Sequence, residues 1–519
     1  MENNKQKTVR LPNIFEALLP IITMVGLMLY VFNFAYEIVD GEKVNIYDGA
    51  HMPLVVAIVV ACIVGAMCGH TFSDMLAGMV ERLNATLEAI LILLTVGILI
   101  SSFMISGTIP AVIYYGLKLL SPQLFLPVGC ILIAIVSLAC GSSWTATGTI
   151  GIAFMTIGVG LGINPALTAG MVISGAYVGD KFSPLSDTTN LAAGVSGTGL
   201  FDHVTAMVST TGPVFLIALV IYAILGSRVN VVNYDPTIAQ GIEDALAANF
   251  NLNPLVLLPI VVIVVVCILR VPGLPGVIIS VITGAIFAII FQGGHNIAEL
   301  FAILHYGPTI ETGNEFVDAA LAKGGMDHQM WTVNLILLAV SFGGALEKCG
   351  SVERIFGGLK HKIHSVGTLV LATMFTSIFC DMAMCDQFLG IGVPAPLYDT
   401  KYDEMGLARN MLSRTLEDAG TLWACMFPWT ACGAYQSGVL GMSPFVYFPF
   451  AFVNLLNPIY AAITAFMGRN IFWADGSYTN LFGKTTLKKA AKAPEEARKF
   501  ALAQLEKLRA EGKAPKVNA

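Results

Sequence analysis

Charge is what this chain has least of: only 12% of its 519 residues are Asp, Glu, Lys or Arg, while 56% are hydrophobic. With a mean hydropathy of +0.75, that scarcity leaves no serious soluble alternative and no expectation of a nucleic-acid partner. The formal net charge of −6 says little, because around a bilayer the place of a charge matters more than the sum. A recurring cysteine spacing is also missing. The ten cysteines lie mostly inside apolar runs, which reads as small packing residues and neither as a disulfide framework nor as a metal cage. Cys380 and Cys385, flanked by Asp381 and Asp386, have no histidine nearby to complete a metal site. The run 14–34 is too long for the apolar part of a leader and lacks a small-residue cleavage pattern, so it is expected to remain as a span.

What the chain does have is one apolar run after another. Residues 14–34, 53–67, 87–105, 124–139, 204–226, 255–269, 277–291, 331–346, 366–379 and 444–467 approach or reach the length that crosses a ~30 Å hydrocarbon core. Two more, 166–195 and 407–435, are interrupted by polar residues. A short piece, 150–161, opens on the hydroxyl-rich stretch Gly141 to Thr149 and closes on a Gly/Asn/Pro turn, the pattern of a re-entrant hairpin. The expected fold is an all-α polytopic membrane protein. Its parts are a tail and first span (1–35), a first repeat (53–226), a linker with one apolar segment (227–275), a second repeat (276–467) and a C-terminal tail (468–519). In that tail Phe500, Leu502, Leu505 and Leu508 recur at helical spacing, which predicts an amphipathic helix for a membrane surface, a partner or solvent. The loop after the first span carries Glu37, Asp40, Glu42 and Asp48 against Lys43. That places the N-terminus in the cytoplasm and the protein in the cell (inner) membrane.

The most informative stretch is Gly179-Asp180-Lys181-Phe182-Ser183-Pro184-Leu185-Ser186-Asp187-Thr188-Thr189-Asn190-Leu191. Polar side chains and a helix-breaking proline interrupt an otherwise apolar region there. Backbone freed from a helix at membrane depth persists only against protein or water, and an ionisable residue there costs at least ~2.5–3.5 kcal/mol. Oxygen-rich side chains on a broken helix suit a small hard cation such as Na⁺. The bland alternative is an interfacial loop that merely meets water.

The order of features repeats. Gly69-His70 with Asp74 matches Gly294-His295 with Glu299; Ser106-Gly107 matches Cys349-Gly350; the Gly141–Thr149 stretch matches 380–387; and Ser186-Asp187-Thr188-Thr189 matches Glu417-Asp418-Ala419-Gly420. Paired halves with broken helices are a pattern of secondary transporters, with the site near the midplane between them. Loop charges leave eleven or twelve spans open; an inverted arrangement of the halves, each with a re-entrant hairpin and a broken helix, keeps the basic loop 348–364 cytoplasmic.

On these residues the chain resembles the NhaC family of Na⁺/H⁺ antiporters: Gly141-Ser142-Ser143-Trp144-Thr145; Gly179-Asp180 with Ser183-Pro184 and Asp187-Thr188-Thr189; and Glu417 to Thr421 with Pro428-Trp429-Thr430 and Cys432-Gly433. The resemblance implies two inverted repeats and Na⁺/H⁺ exchange. The family also includes carriers exchanging malate for lactate with Na⁺ and H⁺, so a Na⁺-coupled exchanger of small carboxylates is the alternative. Exchange by competition requires buried carboxylates that hold a proton or a cation in turn. Asp187 and Asp418, at matched breaks, are the first candidates, followed by Asp180, Asp381, Asp386 and Glu417. Ser142, Thr147, Ser183, Ser186, Thr188, Thr189, Asn190, Gln387 and Thr421 are expected to complete an oxygen shell for Na⁺. Lys181 is expected to pair with an acid, Asp180 by adjacency, and Arg409 or Arg414 would serve a carboxylate cargo. His70 and His295 are read as helix-end residues or as pH sensors. No cofactor is expected beyond the transported Na⁺ and H⁺, and the partners are those ions and the lipid bilayer, with a homodimer left open. No histidine stands near Ser142 or Ser143, so a hydrolase, and enzymatic activity generally, is not expected.

Overall fold

The computed structural model describes residues 9–34, 36–39, 42–45, 49–228, 236–269, 271–293, 296–322, 324–358 and 363–515. His295 lies outside them. Seven helices among the described residues are long and apolar enough to cross a membrane: Ile14–Val31, Thr86–Ile105, Pro122–Cys140, Leu200–Ser227, Leu274–Gln292, Asp327–Cys349 and Val366–Met384. Two bent pairs, Thr237–Asn249 with Pro254–Val266 and Pro444–Phe450 with Phe452–Phe466, turn by 101° and 60°. Ile22, Ile63, Leu216, Ile282 and Phe375 are exposed, as suits helices whose outer neighbour is hydrocarbon. The protein is an all-helical, multi-pass membrane protein.

Local chemistry explains where the helices stop. The helix Pro122–Cys140 ends at Gly141, whose φ of 66° is left-handed, and Ser142 then caps the short helix Ser143–Ala146 by accepting the Thr145 N–H at 3.2 Å. The helix Val366–Met384 ends in the same way at Cys385, φ 59°. Asp386 then caps Gln387–Gly392 by accepting the Leu389 N–H at 3.1 Å. One backbone device is thus used twice: a left-handed residue, then a polar N-cap that satisfies donors the helix cannot. A cysteine in the left-handed region is strained where glycine is not, and such strain concentrates at functional sites.

The first broken helix runs Pro165–Phe182 and restarts as Asp187–Ser196, with Ser186 as its N-cap. Pro184 cannot donate a helical hydrogen bond, and the Asn190 amide braces the gap by donating to the carbonyls of Pro184 at 2.9 Å and Ser186 at 2.8 Å. The second runs Arg409–Leu416, widens into a π-turn at Glu417–Thr421, and restarts at Ala431–Leu440 under a Thr430 cap. Its true break therefore lies just before Thr430, well past Asp418. The expected correspondence of Asp187 with Asp418 does not hold at this level: Asp187 follows its break, whereas Asp418 precedes its own.

The C-terminal tail is no free amphipathic helix. Helix Glu495–Ala510 buries Ala501 and Leu505, and Leu505 joins a cluster with Tyr402, Leu407, Ala408 and Met411 of the chain itself. A small antiparallel sheet, Ile471–Phe472, Ser477–Thr479 and Thr485–Leu487, lies between that helix and the last span.

Candidate functional site

Asp418 sits at the centre of a fully buried ionic cluster. The Lys181 ammonium donates to its Oδ1 across 237 positions of sequence, and both side chains are wholly shielded from solvent. Asn457 Nδ2 reaches the same oxygen at 2.8 Å and Thr210 Oγ1 at 3.1 Å, while Arg414 Nε stands 3.7 Å from Oδ2. Lys181 therefore pairs with Asp418 and not, as adjacency suggests, with Asp180. A charge buried this deeply survives only with such a shell. Asp418 is thus matched by a lysine at Oδ1 and flanked by an arginine at Oδ2, an oxygen that makes no hydrogen bond of its own.

The neighbouring carboxylates are in the opposite condition. Glu417 is fully buried and neither of its oxygens has a hydrogen-bond partner; Lys181, Asp180 and Asp418 are its charged neighbours. Asp180 is buried and accepts the Ser143 hydroxyl at 2.7 Å, which ties the Ser143–Ala146 helix to the first broken helix. Asp381 is buried with both oxygens unpartnered and lies against Gly390, where a Cβ would come within 1.8 Å of its Oδ1. Gly390 in turn faces Gly420, whose Cβ would approach the Gly390 carbonyl to 3.1 Å. The π-turn thus meets the Gln387–Gly392 helix through Gly420, while Glu417 on the same turn neighbours Asp180. Thr421 Oγ1 and Gln387 Nε2 are further buried, unpartnered polar atoms there, and Gln387 Oε1 accepts the Cys432 thiol at 2.6 Å.

Other expected ligands are placed as braces. Asp386 caps Gln387–Gly392 and Ser142 caps Ser143–Ala146, and Thr147 donates to the Ser143 carbonyl at 2.7 Å. Ser183 accepts the Leu185 N–H at 3.2 Å, Ser186 and Thr188 share a hydrogen bond of 3.0 Å, and Thr189 donates to the Lys181 carbonyl at 3.1 Å. Asp187 and Asn190 are exposed, and the charged neighbours of Asp187 are Glu88 and Asp180. His70 is half-buried at a helix end. Of the two arginines, Arg409 is held by Asp403 at 2.6 Å, away from the cluster, and Arg414 belongs to it.

Several site residues carry little sequence signal. Thr210 and Asn457 sit in apolar spans, and only the oddity of an amide among Leu456, Pro458 and Ile459 points to Asn457. Ser413 bonds to His203 Nδ1 at 2.8 Å, and the other ring nitrogen is buried without a partner. Trp144 stacks on Tyr435 at 4.4 Å, and the Tyr435 hydroxyl donates to the Trp144 carbonyl at 2.7 Å, fastening the Ser143–Ala146 helix to Ala431–Leu440.

Fold and site together define a multi-pass helical membrane protein organised around buried, partly unpaired carboxylates on broken helices. Residues 175–469 match the Na⁺/H⁺ antiporter family, and this chain belongs to it. It is 37% identical over 445 residues to the Na(+)/H(+) antiporter NhaC of Alkalihalophilus pseudofirmus, covering 86% of this chain and 96% of that one. The malate-2H(+)/Na(+)-lactate antiporter of Bacillus subtilis is 33% identical over 467 residues, covering 90% and 97%. The arginine/ornithine antiporter ArcD of Halobacterium salinarum is 36% identical over 430 residues, covering 82% and 88%.

Proposed function

We propose that this protein exchanges Na⁺ for H⁺ across the cell membrane by alternating access, with Glu417 as the principal exchanging carboxylate, Asp180 beside it, and Asp381 as a further buried carboxylate against Gly390. The observation that carries this is the contrast between adjacent residues: Asp418 has its cation built in, whereas Glu417 is fully buried with both oxygens free of partners. A bare carboxylate in such a place is costly. It holds either a proton or a cation, and that exclusivity is what couples the two flows. Ser143, Thr421 and the neighbouring carbonyls supply oxygen for a dehydrated Na⁺. The repeated hairpins support a gate on each side, and we read the halves as inverted repeats so that each hairpin faces one compartment.

The test is Na⁺-driven proton movement in proteoliposomes. Glu417→Gln is expected to abolish exchange in a folded protein; exchange at the wild-type rate would overturn the assignment. A second reading, Na⁺-coupled exchange of a small carboxylate, is favoured by one feature: Arg414 is fully buried with Nε and Nη2 lacking hydrogen-bond partners, and a guanidinium with free donors suits a carboxylate. Adding malate and lactate to the same vesicles separates the readings. Exchange that needs no organic acid supports the first, and exchange that requires one supports the second.

A further inference from the structure

Arg414 is gripped from two sides, by a span and by the tail. Its Nη1 donates to the Asn470 carbonyl at 2.7 Å and to Ser209 Oγ at 3.1 Å. Its Nε stays 3.7 Å from Asp418, beyond the ~2.7–2.9 Å of a charge-assisted hydrogen bond. Asn470 follows the last helix, Phe452–Phe466, at the root of the tail. Its φ of 54° is left-handed, a conformation asparagine tolerates better than most residues. Its side chain is fixed at both ends: Nδ2 donates to the Ser209 carbonyl at 3.0 Å and Oδ1 accepts the Tyr478 hydroxyl at 3.0 Å.

The same tail holds the turn that starts the Arg414 helix. The Ala408 N–H donates to the Phe472 carbonyl at 2.9 Å, and the Ala474 N–H to the Gly406 carbonyl at 3.0 Å. Leu505 packs on Gly406 so closely that a Cβ there would come within 2.8 Å of the Leu505 Cβ. Arg509 closes the tail on itself, bonding Asp475 at 2.7 Å and Ser477 Oγ at 3.0 Å. Tail helix, sheet and the Arg409–Leu416 helix are thus joined by main-chain and side-chain bonds into one unit.

We propose that residues 468–515 are a positioning clamp for the exchange site, with Asn470 as its contact: the docked tail draws Arg414 toward the Asn470 carbonyl, which leaves Asp418 to Lys181 and holds both cations off Glu417. The inference rests on Glu417 as the exchanging group. When the tail releases, Nη1 loses its carbonyl and the guanidinium closes on Asp418. The Lys181 ammonium is then freed toward Glu417, where it competes with Na⁺. Tail release thereby lowers Na⁺ affinity while the transport cycle stays intact.

The experiment uses the full chain in proteoliposomes, with hydrogen exchange of residues 471–487 reporting docking. Asn470→Val excludes the left-handed φ, Asn470→Gly keeps it but removes both side-chain bonds, and Arg509→Glu opens the tail far from the cluster in sequence. In Asn470→Val and Arg509→Glu the Na⁺ half-saturation is expected to rise about tenfold, the scale of one hydrogen bond to a charged group, with the maximal rate nearly unchanged. Asn470→Gly is expected to fall between these and the wild type. An undocked tail with unchanged half-saturation overturns the clamp, as does a fall in maximal rate alone. Survival of exchange in Glu417→Gln would instead remove the premise, so the two failures are distinct.

Discussion

The ammonium of Lys181 and the carboxylate of Asp418 form a wholly buried ion pair between the first broken helix and the second. Each comes from a different half of the chain, so the pair joins the halves at the level of the site. Removing one partner of a buried pair leaves the other charge uncompensated and costs about 3–5 kcal/mol. Lys181→Met should lie at or below the low end, because Arg414 still faces Asp418. Asp418→Leu should lie at the high end, because it strands two cations. Thermal melting of the purified variants checks the order, and a double variant should be less destabilised than the sum of the singles.

Asp187 lies outside the buried cluster, exposed in the first turn of its helix. Asp187→Asn is therefore expected to keep Na⁺/H⁺ exchange, with a half-saturation within about twofold of the wild type, the usual small effect of an exposed change. Loss of exchange on this substitution would return Asp187 to the site.

Gly390 is required for space. Its Cβ would overlap Asp381, whereas Gly194, with nothing within 4 Å, has open room. Gly390→Ala is expected to destabilise by about 1–3 kcal/mol and to impair exchange, while Gly194→Ala should do neither. Melting temperature and vesicle flux measured on both variants decide it.

The tail's own lock has a defined pH range. Burial alone pushes the Asp475 carboxyl up, but the Ser477 hydroxyl and N–H and the Arg509 guanidinium outweigh it and hold the group below its ordinary value of 3.8. A depressed folded-state pKa contributes stability that is fully present above the unfolded value and lost as pH falls through the folded one. Tail docking should therefore be flat from neutral pH down to the unfolded range and weaken only below it. Trp473 emission, isolated by comparison with Trp473→Phe, follows this, and Asp475→Asn should remove the acid transition.

Much of the architecture was legible because apolar runs and breaks are local. Pro184 beside Ser183 and Ser186 announces the first interruption in any context, and the hydroxyl-rich 141–149 stretch announces the helix break at Gly141. Partnership was not legible. Lys181 stands next to Asp180 in sequence yet bonds a carboxylate 237 positions away, since a helix points neighbouring side chains in different directions. The tail helix had a clear apolar face, but periodicity cannot say which surface it meets. The matching of Asp187 with Asp418 failed for a related reason: Gly420 and its neighbours continue as a widened helical turn where the sequence reads as a break.

That widened turn has a consequence for how the site arose and how it can be lost. A π-turn holds one residue more than an α-turn needs and is the footprint of a single insertion in an otherwise regular helix. Glu417 and Asp418 point to different surroundings, one without a hydrogen-bond partner and one paired with Lys181, within the extra winding that Glu417–Thr421 provides. Deleting one residue of 417–421 would let the helix relax to ordinary pitch, with the flanking helix held where it packs and the residues of the turn re-aimed. No side chain outside the turn would change, yet Glu417 would leave the place beside Lys181 and Asp180 that the extra winding gives it. The separation of a permanent counter-ion from an exchangeable one is thus encoded as a length, and a codon-sized deletion is the smallest genetic event that erases it.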